Sequence, residues 1–295
     1  MRCIELPLSR LVLGTAQMGS TYGVANRTGR PDIGEVEAIL AMASDAGLKM
    51  LDTAAAYGQS EEVLGRAGVS RWQIVTKVPP LVDVPRARVG VVIRESVVRS
   101  LDRLRCEKLY GVMVHAAGDL TGTNAECVAD ALSALRADGL CEKAGLSIYR
   151  PQDLVDPPSS FFPGIVQAPL NPLDQRIVTT GTAQRLTENG CEVHARSLFL
   201  QGILLMPPAS RPARFARWAA ALSACDAALG DDPLASCLGF AAAQPGIARL
   251  VVGVENETQL SEILVAASQA REPHGTAALA NNDPNLIEPP LWGES

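Results

Sequence analysis

Aromatic residues are scarce in this 295-residue chain, only 4% of the total against 47% hydrophobic residues overall. Its core must therefore be built mostly from Ala, Leu, Val and Ile. Histidine is scarce as well, with three copies. The chain contains no H-x-x-x-H pair, C-x-x-C pair, G-x-x-x-x-G-K loop or G-x-G-x-x-G turn. Their absence removes the sequence signatures of common zinc sites, phosphate loops and open dinucleotide-binding sheets. No apolar run approaches the ~18 residues that span a bilayer. Basic residues never form a run of five, and the net charge is −6. A nucleic-acid partner, which demands a clustered basic face, is not expected. The seven cysteines are odd in number and scattered, which reads as free thiols in a reducing compartment. The polar start Met1-Arg2-Cys3-Ile4-Glu5 is unlike a secretory signal. The expected location is cytoplasmic, with no membrane association.

Short apolar runs of strand type recur near 11–14, 48–52, 73–78, 109–115, 144–148, 164–168, 192–197 and 249–253. Helical spacing fills most of the intervals. Residues 34–46 carry Val36, Ile39, Leu40 and Ala43 before Gly47, and 88–105 carry Val89, Val92, Ile93, Val97 and Leu101. The segment 123–138 predicts an N-cap at Thr123 with Glu126 three residues on. Alternation of strand and helix implies a parallel sheet, and eight units favour closure into a (β/α)8 TIM barrel of α/β class. Residues 1–271 form the expected barrel, with Arg2 to Leu6 as an N-terminal hairpin plugging its bottom. Residues 272–295 read as an irregular, Pro-containing tail packed on or near it. The interval after 148 is short and Pro-rich, and 197–249 has room for two helices.

Polar residues end three of the apolar runs: Asp52, Lys77 and His115, with Tyr57 in the turn after the first. Barrel enzymes carry their chemistry at the C-terminal strand ends, and adjacent strands lie ~5 Å apart, so these groups can converge on one rim. Each alone has a plain structural use, as packing, an ion pair or a carbonyl partner; together they suggest more. A free phenol titrates near ~10 and donates poorly at pH 7, but a neighbouring ammonium stabilises the phenolate. A phenol, lysine, aspartate and histidine together equip a site to protonate a carbonyl oxygen during its reduction. The hydride must come from an external donor, because no side chain supplies one.

The same residues resemble the aldo-keto reductase family over nearly the whole chain. Leu11-Val12-Leu13-Gly14-Thr15 is similar to its first strand. Asp52-Thr53-Ala54 with Tyr57-Gly58, Ser60-Glu61 and Leu64-Gly65 resembles its second strand and helix, and Ile74-Val75-Thr76-Lys77 and Val114-His115 complete the tetrad. The resemblance implies Tyr57 as general acid, Lys77 and Asp52 as its tuning pair, and His115 as the residue orienting a small-molecule carbonyl substrate. It also implies a nicotinamide coenzyme, with NADP(H) the family default, contacted by Gly14, Thr15, Asp52, Ser147, Gln167, Arg196, Ser197, Gly202, Gly253, Glu255, Gln259 and Glu262. Gln167 and Ser147 fall where the family holds the carboxamide, although Ile148 replaces a usual Asn. Arg196 stands where many members stack an aromatic ring on nicotinamide, and a guanidinium plane can stack too. Glu255 stands where NADPH users often meet the 2′-phosphate, and Ile263 replaces a common Asn. A carboxylate there repels a phosphate and suits a ribose hydroxyl, so NAD(H) is open to this chain. The loop Gln17 to Asn26 resembles a bacterial branch linked to sugar and surface-polysaccharide gene sets. Two other readings remain: a barrel aldolase forming a Schiff base at Lys77, and a non-catalytic nicotinamide-binding regulatory protein. No metal site is expected.

Overall fold

The computed structural model describes residues 1–26, 28–154, 158 and 160–292. Eight parallel strands close into a barrel in sequence order. They are β1 Leu11–Gly14, β2 Met50–Asp52, β3 Gln73–Val78, β4 Leu109–Val114, β5 Cys141–Ser147, β6 Ile165–Pro169, β7 Glu192–Arg196 and β8 Arg249–Gly253. Each lies within about three residues of its predicted run. The largest difference is at β5, which begins at Cys141 because Leu109 and Cys141 pair across the sheet.

The helices longer than one turn are α1 Ile33–Asp45, α2 Ser60–Ala67, α3 Val89–Leu104, α4 Ala125–Ala137, α5 Thr182–Glu188, α6 Ala219–Leu229, α7 Pro233–Ala243 and α8 Glu257–Ser268. In α1, Val36, Ile39, Leu40 and Ala43 bury one stripe, and the Asp32 carboxylate accepts from Glu35 N at 2.9 Å as the N-cap. The cap predicted at Thr123 does not form. Asn124 occupies the N-cap position of α4, its amide donating instead to Val84 O. The Thr123 carbonyl and the Glu126 carboxylate are both engaged by Arg86. Between β5 and β6 the described residues hold only the 3₁₀ turn Pro151–Leu154, whereas α6 and α7 both fill the interval after β7.

Leu, Val, Ile and Ala dominate the layer between barrel and helices, while Val12, Met50, Val75, Met113 and Ile165 fill the barrel interior. Polar groups sit above this apolar plug, at the C-terminal rim. At the opposite end of the chain's path, Arg2–Cys3 does not fold into a local hairpin. It pairs antiparallel with Arg271–Glu272, and Ile4 N donates to Ala270 O at 2.9 Å. The segment beyond Glu272 returns to the β7 side, where Leu286 and Ile287 are buried against Leu200, Ile203, Leu204 and Phe215.

Candidate active site

The rim of β2 and β3 is locked before any ligand arrives. Ser60 Oγ donates to Thr15 O at 2.9 Å and lies 3.1 Å from Thr53 Oγ, while Thr15 Oγ1 donates to Asp52 O at 3.0 Å. Glu61, also buried, accepts from Thr76 Oγ1 at 2.6 Å and from Arg103. These bonds fix the backbone on both sides of Asp52 and Lys77. They also give the Ser60-Glu61 pair a structural use.

Lys77 is fully buried and donates to both Asp52 oxygens at 2.8 Å and to Thr53 O at 3.0 Å. Burial alone would lower its pKa, but the Asp52 carboxylate and Tyr57 outweigh that and raise it, so the ammonium is kept. The Tyr57 ring stands over this charge, its centroid 4.9 Å from Lys77 Nζ. His115 meets Tyr57 edge-on, with ring centroids 5.8 Å apart and planes at 83°. The four residues expected to act together are therefore adjacent.

Tyr57 owes its place to two glycines. A Cβ on Gly19 would lie 1.7 Å from Tyr57 O, and one on Gly58 would lie 2.4 Å from Gly19 O. Gly58 also has φ +54°, which favours glycine. The turn carrying the phenol thus rests backbone to backbone on the turn after β1.

His115 is held neutral. Burial lowers its pKa to about 4, helped by the Lys77 and Arg196 charges and opposed by Asp52. Its Nδ1 is buried without a hydrogen-bond partner among the described residues. The sign of the linkage gives a prediction. Between pH 6.5 and about 4 the unfolded chain binds a proton at His115 and the native state does not. Stability contributed by this depression is present above that window and is lost as pH falls through it. His115→Gln should shrink the difference in denaturant midpoint between pH 7 and pH 5; an unchanged difference would discard the assignment.

Asp52, Tyr57 and His115 open into a cleft of ≈ 340 Å³ that runs from the tetrad end towards β8, with Lys77 buried behind them. That volume suits a small-molecule or cofactor site. Of the coenzyme contacts expected from sequence, Gly14, Thr15, Asp52, Ser147, Gln167, Arg196, Ser197, Gly202, Gly253, Glu255 and Gln259 line it. Glu262 does not: it is exposed on α8 and outside the lining. Gln167 donates to Asp52 Oδ1 at 2.7 Å, tying the expected carboxamide contact into the tetrad. Arg196 donates to Ile148 O at 3.0 Å and stacks on Tyr149 at 4.2 Å, so one face of its plane is occupied by protein. Glu255 is buried rather than turned to solvent; its Oε2 accepts from Thr28 at 2.8 Å, and its N donates to Gln259 Oε1 at 2.8 Å. Tyr149, just beyond a strand end, lines the cleft without having been expected there, and Thr28, outside the lining, reaches it only through Glu255. Among the described residues no group of His, Cys, Asp or Glu could hold a metal ion, and no helix is long and apolar enough to cross a membrane.

The closed parallel barrel gathers Asp52, Tyr57, Lys77 and His115 at its C-terminal rim, the end at which barrel enzymes carry their chemistry. The sequence profile described as the aldo/keto reductase family matches residues 10–272, and the chain belongs to that family. In general terms it is a nicotinamide-dependent carbonyl oxidoreductase. Among solved structures it is similar to a Pseudomonas aeruginosa protein assigned to the aldo-keto reductases, at 26% identity and TM-score 0.66, covering 88% of this chain and 90% of that one. It is also similar to the aldo-keto reductase AKR11C1 from Bacillus halodurans in its holo form, at 20% identity and TM-score 0.73, covering 95% and 97%. The second likeness speaks to the fold alone. The comparison with curated proteins gave no match.

Proposed function

We propose that the protein reduces an aldehyde or ketone to an alcohol with a nicotinamide coenzyme, using Tyr57 as the proton donor. The observation that carries this reading is the buried Lys77 ammonium, held by Asp52 and standing 4.9 Å from the Tyr57 ring centroid. The coenzyme, when bound, supplies the hydride. Tyr57 gives its hydroxyl proton to the carbonyl oxygen, and Lys77 stabilises the phenolate left behind. Asp52 keeps Lys77 charged and oriented. His115, neutral at pH 7, offers a hydrogen bond to the same oxygen and selects carbonyls that fit beside it. Gly14, Thr15, Ser147, Gln167, Arg196, Ser197, Gly202, Gly253 and Gln259 form the wall available to the coenzyme. A Schiff base at Lys77 is disfavoured, because attack requires a free amine and this one is a charged donor with three acceptors.

The coenzyme we assign is NADH rather than the NADP(H) usual in the family. Glu255 lines the far end of the cleft with one oxygen held by Thr28. A buried carboxylate beside a 2′-phosphate is repulsive, while a ribose hydroxyl can donate to its remaining oxygen. A coenzyme-oxidation screen over small aldehydes, ketones and sugar aldehydes, with NADH and NADPH run separately, tests both claims. Turnover should favour NADH by about tenfold or more in kcat/KM, and Glu255→Ser should narrow that ratio through the NADPH arm. A wild-type preference for NADPH would refute the role of Glu255. Coenzyme binding with no turnover of any carbonyl would support a regulatory protein instead.

A further inference from the structure

The wall of the cleft opposite the tetrad is anchored from far away in sequence. Arg196 lines the cleft, bears electrostatically on His115, and forms no ion pair among the described residues. Its guanidinium is pinned by stacking on Tyr149 and by the bonds to Ile148 O and Ser197 Oγ. Tyr149 is pinned in turn: its N donates to Asp153 at 2.8 Å, and its carbonyl accepts from Arg176 Nη2 at 3.1 Å. Arg176 is gripped by Asp174 through two bonds, at 2.9 and 2.8 Å, and by Glu288 at 2.7 Å. Glu288 comes from the C-terminal tail and also takes Arg150 in a two-bond fork at 2.7 and 2.8 Å.

Asp174 and Glu288 set two carboxylates against the guanidinium groups of Arg150 and Arg176. Burial opposes the ionised form of Glu288, but the two arginines outweigh it and lower its pKa, so the carboxylate stays charged. The tail holds the neighbouring loop as well. Ser197, Leu200 and Gln201 have φ of 59°, 48° and 51°, a conformation that non-glycine residues keep only when their surroundings impose it. Leu200 is buried against Leu286 and Ile287 from the tail, two residues that directly precede Glu288.

We infer that Glu288 is a positioning residue for the active-site wall, acting through Arg176 and Tyr149 on Arg196. The tail is therefore part of the machinery that shapes ligand binding, and this role rests on the reductase reading above. A residue of this kind changes the fit of ligands more than the proton transfer at Tyr57.

The test uses the full-length chain, with Glu288→Gln, Tyr149→Ala and the double variant. Coenzyme Kd is measured by fluorescence titration and carbonyl KM and kcat by turnover. Glu288→Gln should raise Kd or KM about tenfold with a smaller change in kcat, and this loss should largely vanish in the Tyr149→Ala background. A lower melting temperature with Kd and KM unchanged would reduce Glu288 to a structural tether. A loss that persists undiminished beside Tyr149→Ala would also overturn the route. Should Glu288→Gln fail to fold, Arg176→Lys, which keeps the charge but loses the planar fork joining Glu288 to the Tyr149 carbonyl, should give a shift in the same direction; no shift there refutes the role. Absence of coenzyme binding in the wild type would sink the reductase reading itself, a different failure from either of these.

Discussion

Tyr57→Phe should lower kcat by about 10²–10⁴-fold, the range that a positioned acid contributes. Coenzyme Kd should stay within about twofold, since the variant deletes one hydroxyl and keeps the ring. The ring matters separately from the hydroxyl. It meets His115 edge-on and covers the Lys77 ammonium, so Phe preserves the packing that Ala would lose. Stopped-flow or steady-state coenzyme oxidation gives the first quantity and fluorescence titration the second. Retention of full turnover would move the proton donor elsewhere, and His115, neutral with an unpartnered nitrogen, would be the next group to test. Loss of coenzyme binding together with turnover would show that the hydroxyl is a binding contact rather than the acid.

Much of this arrangement could be read before any coordinates. Asp52, Lys77 and His115 each end an apolar run, and barrel topology brings strand ends together whatever lies between them. That rule needs only the period of the pattern and the order of the elements. It fails where partners are chosen by tertiary geometry. Arg2–Cys3 pairs with Arg271–Glu272, a partner at the other end of the chain that no local pattern announces. Thr28 reaches Glu255, and Tyr149 underlies Arg196, through loops whose paths are set by packing. Gln167 binds Asp52 instead of waiting free, because a buried carboxylate with spare lone pairs attracts the nearest amide. At Thr123 a sound local signal gave way to Arg86, which holds the Thr123 carbonyl and draws off the glutamate that a capping box would use.

Lys77→Met should destabilise the protein by about 3–5 kcal/mol as well as suppress turnover. The ammonium is 1% exposed and Asp52 5%, so removing one partner leaves a buried carboxylate with Gln167 as its remaining donor. The cost is that uncompensated charge rather than lost packing, because Met nearly preserves the shape of the side chain. The double variant Asp52→Asn with Lys77→Met separates the two roles. It removes both charges, so it should recover most of the lost stability in denaturant unfolding. Turnover should not return, because no cation is left to stabilise a Tyr57 phenolate. Recovery of activity along with stability would mean that the pair only holds the barrel rim together. Destabilisation in the double variant as large as in Lys77→Met would mean that the hydrogen bonds to Thr53 O and Gln167 matter more than the charge. The expected split, fold restored and chemistry absent, follows from a buried pair retained for what the ammonium does to the phenol above it.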